Sequence, residues 1–270
     1  MKSDHSPAMR APGSGPGLML PELREALASG WLSTRYQPVV HMATRQPVAL
    51  EVLARIEHPT RGTLTPDLFI PQMEDAGLAW PLTQAVVRRA LADWSDGLSA
   101  LDLSLAFNFP LDVLLLPQAR EWLDAECAAA GIGRDRVTIE LTESHPVSGL
   151  DSVRSAVAHY RAAGYELAID DVGPDVRDHS PLLGLAFSIL KLDKNMVRRS
   201  VANEPVRAFM LKSIAAARSA NLILIAEGIE EPADWDRMAA LGVEQAQGYL
   251  IARPMPARDV PGWFRAWRAH

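Results

Sequence analysis

The chain has 270 residues, of which 48% are hydrophobic and 22% charged, and its net charge at pH 7 is −6. No basic stretch suggests a nucleic-acid surface and no apolar run is long enough to cross a bilayer, so neither DNA nor a membrane is an expected partner. The single cysteine, Cys127, excludes an internal disulfide and fits a cytoplasmic location. Residues 1–18, rich in Gly, Pro and Ser, are predicted to form a disordered leader before one domain over residues 19–270.

Short apolar runs alternate with helical patterns along this domain. The predicted strands are Tyr36–His41, Pro47–Arg55, Leu103–Phe109, Val137–Leu141, Glu166–Asp171, Ile189–Asp193, Leu222–Ala226 and Val243–Ile251. The predicted helices are Pro21–Ala28, one opened by Thr65-Pro66 and closed by Gly77, Pro81–Trp94, Asp112–Ala130, Leu150–Ala163, Glu204–Ala220, Pro232–Leu241 and Val260–Ala269.

About eight strands, most of them followed by a helix, indicate an α/β protein with a parallel sheet. The closed (β/α)8 barrel of the TIM type is the best match to this number and order. An open doubly wound sheet is the alternative, but the first strand is not followed by the Gly-rich phosphate turn that is usual in that fold.

Seven of the eight predicted strands contain, or are directly followed by, a polar residue able to bind a metal ion or move a proton. These residues are Glu51, Asn108, Glu140, the pair Asp170 and Asp171, Lys191, Glu227 and Gln247. A lone acid after a strand is most often a helix cap or a solvated loop residue. In a barrel, however, the carboxyl ends of all strands open onto one face, so the repeated pattern predicts a shared site.

The chemistry of these side chains narrows the kind of site. Oxygen ligands without His or Cys favour Mg²⁺ or Mn²⁺ over zinc. Two reactions fit carboxylates, a lysine and a divalent ion in a barrel: proton abstraction beside a carboxylate, as in enolase-like enzymes, and two-metal hydrolysis of a phosphodiester. The adjacent Asp170 and Asp171 favour the second, because Asp170 could bridge two ions while Asp171 holds one of them.

Several short motifs together resemble the signature of the EAL domain family. They are Tyr36-Gln37-Pro38, Glu51-Val52-Leu53 with Arg55 and His58-Pro59, Phe69-Ile70-Pro71, Glu140-Leu141-Thr142-Glu143, Asp170-Asp171, Lys191-Leu192-Asp193, Ala226-Glu227-Gly228-Ile229-Glu230 and Gln247-Gly248-Tyr249. The resemblance runs from about Leu20 to the C-terminus. It implies a TIM-like barrel whose first strand is antiparallel, and hydrolysis of cyclic di-GMP to pGpG with two Mg²⁺ or Mn²⁺ ions.

The resemblance also implies a role for each matching residue. One metal would be held by Glu51, Asn108, Glu140 and Asp170, and the second by Asp170, Asp171 and Glu227. Lys191 would orient the attacking water, so that Glu51, Asp171, Lys191 and Glu227 form the expected catalytic group. Gln37, Leu53, Arg55 and Gln247 would contact the substrate, and Glu143 would brace the loop after the Asp-Asp strand.

The sequence departs from the family pattern mainly in that loop. Where the family continues from the aspartates as Phe-Gly-Thr-Gly-Tyr-Ser-Ser, this chain has Val172-Gly173-Pro174-Asp175-Val176-Arg177-Asp178. Three hypotheses therefore stay open: an active phosphodiesterase, a cyclic di-GMP receptor without catalysis, and a protein-interaction module. No cyclase, sensor or receiver pattern is found in the sequence, so a regulatory protein partner or constitutive action is expected. In the family this loop often contributes to the contact of a homodimer, so a homodimer is a possible state of this chain.

Overall fold

A computed structural model describes residues 18–142, 149–172 and 180–269 of the chain. Residues 1–17 of the predicted leader, Glu143 and the altered loop from residue 173 onward lie outside the described residues. The strands are β1 Leu32–His41, β2 Pro47–His58, β3 Gly62–Leu64, β4 Ser104–Pro110, β5 Val137–Thr142, β6 Glu166–Val172, β7 Ile189–Leu192, β8 Ile223–Ala226 and β9 Gln245–Gln247. The α-helices are α1 Leu20–Ala28, α2 Ile70–Asp75, α3 Ala79–Ser95, α4 Leu111–Leu114, α5 Ala119–Ala130, α6 Leu150–Ala163, α7 Ser180–Leu183, α8 Lys194–Arg199, α9 Glu204–Ser219, α10 Pro232–Ala240 and α11 Val260–Arg268.

Eight of these strands close into a barrel. Strands β2, β4, β5, β6, β7, β8 and β9 follow one another as parallel neighbours, and β1 closes the ring by pairing antiparallel with both β9 and β2. The short β3 extends the β2 edge as a hairpin outside the ring. The predicted TIM-like barrel with an antiparallel first strand is therefore confirmed.

Alternation along the strands separates a helix-facing layer from the barrel interior. On β5, Ile139 and Leu141 join the large hydrophobic cluster between barrel and helices, whereas Thr138 and Glu140 line the interior. Deeper in the barrel lies a small apolar cluster of Val39, Ala168, Ile189 and Ile225. Because side chains two residues apart on a strand share a face, the last three of these lie directly below Asp170, Lys191 and Glu227. An apolar floor thus supports a layer of charged side chains.

The final predicted strand, Val243–Ile251, is much too long. Only Gln245–Gln247 pair in the sheet, and the chain then turns, with the Ile251 amide donating to the Gly248 carbonyl over 3.0 Å. The backbone of Gly248 presses on Ile229: a Cβ at this position would lie 2.1 Å from the Ile229 carbonyl oxygen. The apolar side chains after Gln247 therefore belong to a tight turn rather than to a strand.

The single helix predicted over Asp112–Ala130 is two helices, α4 and α5. Pro117 lies between them, and a proline cannot donate the backbone hydrogen bond that a continuous helix needs. The helix expected after Thr65 is likewise divided, into a 3₁₀ turn over Pro66–Leu68 and α2, and Gly77 follows with a φ of +70°. The remaining predicted helices match observed ones to within two residues at each end.

Candidate active site

Lys191 is the centre of a cluster of charged side chains at the carboxyl ends of the barrel strands. The lysine leaves only 1% of its surface exposed. Its Nζ lies 2.9 Å from Glu140 Oε2, 2.9 Å from Asp170 Oδ1, 2.8 Å from Glu227 Oε1 and 3.9 Å from Glu51 Oε2. These acids come from four different strands or strand ends, so the barrel itself brings the cluster together. One ammonium faces four carboxyl groups.

Two side-chain amides hold Glu51 from either side. Asn108 Nδ2 donates to Glu51 Oε1 over 3.0 Å, and Gln247 Nε2 donates to Glu51 Oε2 over 2.6 Å. The donors come from β4 and β9, whereas Glu51 is on β2, so the two bonds join three strands across the barrel mouth. Both oxygens of Glu51 are therefore oriented before any ligand binds.

Burial and mutual charge perturb the protonation of this cluster. Burial opposes the charged form of Lys191, but the charges of Asp170, Glu140, Glu227 and Glu51 outweigh it and raise the pKa of Lys191 well above its usual value. Burial raises the pKa of Glu140 well above its usual range, and Lys191 opposes this rise while Glu51 and Asp170 add to it. Lys191 is consequently a stable cation, able to donate hydrogen bonds but unable to accept a proton.

A cleft of about 490 Å³ lies directly over these residues. Its lining includes the site residues Glu51, Asn108, Asp170 and Glu227 as well as Leu53, which was predicted to contact substrate. Apolar side chains from α3, such as Leu82 and Val87, form another part of its wall. The cleft thus combines an apolar wall with convergent polar groups, which is the usual composition of a small-molecule site.

The other predicted substrate residues lie farther out. Arg55 is four residues beyond Glu51 on β2, on the same face, and Arg55 Nη1 donates to the Ala54 carbonyl over 2.7 Å. Burial, followed by the nearby Arg35, lowers the pKa of Arg55 from its usual value. Gln37 pairs with Glu51 across β1 and β2, and Gln37 Nε2 donates to the Ala252 carbonyl over 3.2 Å. Neither Arg55 nor Gln37 belongs to the described lining of the cleft.

The donor set fits a hard divalent cation in chemical type. Within the described part of the chain, no three His, Cys, Asp or Glu side chains are grouped so that they could hold one ion. Lys191 Nζ lies within 2.9 Å of oxygens of Glu140, Asp170 and Glu227. Asp170 Oδ1 and Gln247 Oε1 are nevertheless buried without a hydrogen-bond partner among the described residues. The contact of Asp170 Oδ1 with Lys191 is thus an ion pair without hydrogen-bond geometry. Because one ammonium does not compensate the charge of several carboxylates, the site can accept a further cation. Asp171, the remaining predicted ligand, lies on β6, but its side chain is outside the described part.

Sequence reasoning missed three charged residues of the cleft, Asp67, Glu74 and Lys194. Lys194 lines the wall next to Glu227 and begins α8 directly after β7. A usable signal was present, since Lys194 follows the Lys191-Leu192-Asp193 motif with no intervening loop. A basic residue just after a strand can indicate a site residue as well as an acidic one can.

The fold and the site define a TIM-like barrel protein with a carboxylate-rich centre at the carboxyl ends of its strands. The sequence model of the EAL domain family matches residues 21–254, and the chain belongs to this family.

Curated relatives resemble the chain along most of its length. It is 33% identical over 240 residues to the uncharacterized protein y4lL of Sinorhizobium fredii, covering 87% of this chain and 28% of that protein. It is 31% identical over 257 residues to the cyclic di-GMP phosphodiesterase NbdA of Pseudomonas aeruginosa, covering 92% of this chain and 32% of that protein. The chain therefore spans about a third of the length of these relatives.

Solved structures give the same result. The PaMucR phosphodiesterase in complex with c-di-GMP has a TM-score of 0.82 and 28% identity, with 89% of this chain and 98% of that chain covered. The FimX EAL domain of Pseudomonas aeruginosa bound to c-di-GMP has a TM-score of 0.76 at 19% identity, with 86% of this chain and 94% of that chain covered, and this likeness concerns the fold alone.

In the described ranges, none of the helices combines the length and apolar character that a membrane span requires.

Proposed function

We propose that this domain hydrolyses cyclic di-GMP to pGpG with the help of Mg²⁺ or Mn²⁺. The observation that carries the proposal is the Lys191 cluster, in which four strands of an EAL-family barrel deliver carboxyl groups to the floor of one cleft. The similar PaMucR structure, which is a complex with c-di-GMP, supports this ligand, and the relative named as a phosphodiesterase supports the reaction.

The metal ligands in this proposal share oxygen donors at the barrel mouth. They would be Glu51, Asn108, Glu140, Asp170, Asp171 and Glu227. When bound, such ions neutralise phosphate charge and make bound water more acidic. The excess of negative charge around Lys191 supports their binding, as does Asp170 Oδ1, which is buried without a hydrogen bond among the described residues.

Lys191 acts in this proposal as a fixed donor. Its raised pKa keeps it protonated near neutral pH, so it cannot serve as a general base. An ammonium held by carboxylates on several sides can donate to the attacking water and fix the direction of its lone pair. In this proposal Lys191 both compensates the charge of the acids and orients the nucleophile.

Substrate binding would use the outer part of β1 and β2. Leu53 presents an apolar surface on the cleft wall, and Arg55 on the same strand face offers a fork of donors that suits a phosphate. Gln37 on β1 and Gln247 on β9 would line the nucleotide on the opposite side of β2. Gln247 also orients Glu51, which ties substrate binding to the catalytic cluster.

A cyclic di-GMP receptor without catalysis is the second candidate. It is favoured by the contacts of Lys191, whose Nζ lies within 2.9 Å of oxygens of three of the proposed metal ligands and compensates part of their charge. A receptor would bind the nucleotide in the same cleft and with the same basic side chains. Both candidates therefore bind cyclic di-GMP, and only the enzyme hydrolyses it.

The test is incubation of the purified domain with cyclic di-GMP and Mg²⁺ or Mn²⁺, followed by chromatography for pGpG. We expect turnover that is abolished in Glu51→Ala and Asp170→Ala and falls severely in Lys191→Ala, with circular dichroism to confirm that each variant is folded. Tight binding without product under either metal would replace the enzyme by the receptor. Absence of both binding and product would point to a protein-interaction module.

A further inference from the structure

The charged residues that line the cleft over the Lys191 cluster are mostly acidic. Its charged lining residues, within the described part of the chain, are five acids and one base: Glu51, Asp67, Glu74, Asp170, Glu227 and Lys194. An anionic ligand in this cleft faces repulsion from most of the charged wall. Lys194 is the lining residue that offers it a positive charge.

The backbone of Lys194 is held in place by neighbouring elements. Asp193 caps α8, its Oδ1 accepting from the amides of Asn195 over 2.9 Å and Met196 over 3.3 Å. On the other side, Gly228 approaches so closely that a Cβ there would lie 2.3 Å from Lys194 Cβ and 3.1 Å from its Cα. The base of the lysine side chain is thus wedged against the loop that begins with Glu227.

The ammonium end of Lys194 is available to a ligand. Lys194 is exposed, and it forms no ion pair or hydrogen bond through its side chain with any residue of the described ranges. By contrast, Arg198 on the same helix pairs with Glu230. An unpaired cation whose stem is fixed beside an acidic centre is arranged for an anion that arrives from outside.

The barrel places Lys194 across the mouth from Arg55. In the ring of eight strands, β7, which precedes Lys194, is separated from β2 by three strands on either side. Arg55 is on β2 beyond the rim, and Lys194 follows the end of β7. A ligand with two phosphodiesters could therefore meet a cation at each side of the cleft while its ring covers the carboxylates.

We propose that Lys194 is a phosphate-binding residue of the cleft and contacts the dinucleotide on the wall opposite Arg55. This inference rests on the proposed function, since it takes cyclic di-GMP as the ligand. It assigns to Lys194 a part in binding and none in the chemical step. Its loss should therefore raise KM and Kd while kcat stays unchanged.

The test compares Lys194→Met with the wild-type domain and with two controls. Lys194→Arg keeps the charge, and Lys212→Met removes an equivalent exposed lysine from α9, away from the cleft. Binding of cyclic di-GMP is measured by calorimetry in a metal-free buffer and again with Mg²⁺, and steady-state kinetics are measured with Mg²⁺. We expect Lys194→Met to weaken binding by about tenfold, the scale of one charge-assisted hydrogen bond at a partly exposed site.

The controls and the salt dependence separate the outcomes. Lys194→Arg should stay within about threefold of the wild type and Lys212→Met should bind equally well, while added salt should weaken the wild type more than Lys194→Met. If the wild type binds and Lys194→Met binds as tightly, the role of Lys194 is refuted and the function of the domain stands. If the wild type neither binds nor hydrolyses cyclic di-GMP, the proposed function fails and this inference fails with it.

Discussion

Replacing Lys191 with methionine removes the one cation at the centre of the acidic cluster. Glu140 and Asp170 each have an oxygen 2.9 Å from Nζ, so these two oxygens are no more than about 6 Å apart. At an effective dielectric constant of about 20, two unit charges at that distance repel by roughly 3 kcal/mol. The variant keeps the side-chain volume but leaves this repulsion, and that of Glu227 and Glu51, uncompensated.

The expected loss of stability follows from that repulsion and from the burial of the acids. Removing one partner of a buried ion pair typically costs about 3–5 kcal/mol near neutral pH. Each kcal/mol shifts the unfolding midpoint of a chain of this size by about 2–4 °C, so the midpoint should fall by roughly 6–20 °C. Lys212→Met, the same change at an exposed position, should alter stability by less than about 0.5 kcal/mol.

The loss should also depend on pH. Burial already raises the pKa of Glu140, and Lys191 is the group that opposes this rise, so the pKa should rise further in Lys191→Met. A carboxyl whose pKa is raised on folding stabilises the fold below its unfolded pKa of about 4.3 and loses that contribution as the pH rises through the folded pKa. The difference between variant and wild type should therefore widen as the pH rises through the folded pKa of Glu140 in the wild type, which already lies well above its usual range.

The assay is thermal unfolding followed by circular dichroism for wild type, Lys191→Met and Lys212→Met across that pH range. A midpoint for Lys191→Met within about 2 °C of the wild type at neutral pH would refute the reasoning, because it would mean that the acids do not depend on the lysine for compensation. A difference that does not change with pH would also refute it, since the loss would then come from packing rather than from charge.

Two further predictions concern residues away from the charged cluster. Gly248→Ala should destabilise the fold by about 3 kcal/mol or more, because its Cβ would lie 2.1 Å from the Ile229 carbonyl oxygen. The control Gly30→Ala, at a φ of +72° with open space around it, should cost only about 1–2 kcal/mol, and equal losses in urea unfolding would contradict the close approach. Burial raises the pKa of Cys127 to about 11, so the thiol should react with a disulfide reagent near pH 8 only at the rate at which the fold opens. Rapid stoichiometric labelling without denaturant would contradict this burial.

The sequence was sufficient for the barrel because its elements are strongly patterned. The β5 and β6 runs are apolar, short and bounded by turn residues, and each was predicted to within one residue at both ends. The strand predicted over Val243–Ile251 was too long because the apolar residues of this run belong to two different structures. Three residues pair in the sheet, and the rest pack in a turn that exists because Gly248 meets Ile229, a contact between distant parts of the chain.

The candidate site was predictable in membership but less so in arrangement. The repeated polar residues at strand ends indicated that Glu51, Glu140, Asp170 and Glu227 share one face, and the structure brings all four around Lys191. That the lysine, rather than an acid, lies at the centre depends on side-chain reach across the barrel, which no local pattern encodes.

The amide contacts of Glu51 were not predictable for a similar reason. Asn108 and Gln247 approach it from β4 and β9, which are far apart along the chain. Their pairing depends on how the barrel closes through β1, and the closure of a ring is a property of the whole fold.

The most direct measurement is hydrolysis of cyclic di-GMP by the wild-type domain in ¹⁸O-labelled water with Mg²⁺ or Mn²⁺, with the product identified by mass spectrometry. We expect pGpG that carries one solvent oxygen in its terminal phosphate, formed by the wild type, absent with a chelator and absent in Asp170→Ala. Cyclic di-GMP that stays intact with both metals, although it binds to the folded domain, would contradict the proposed reaction.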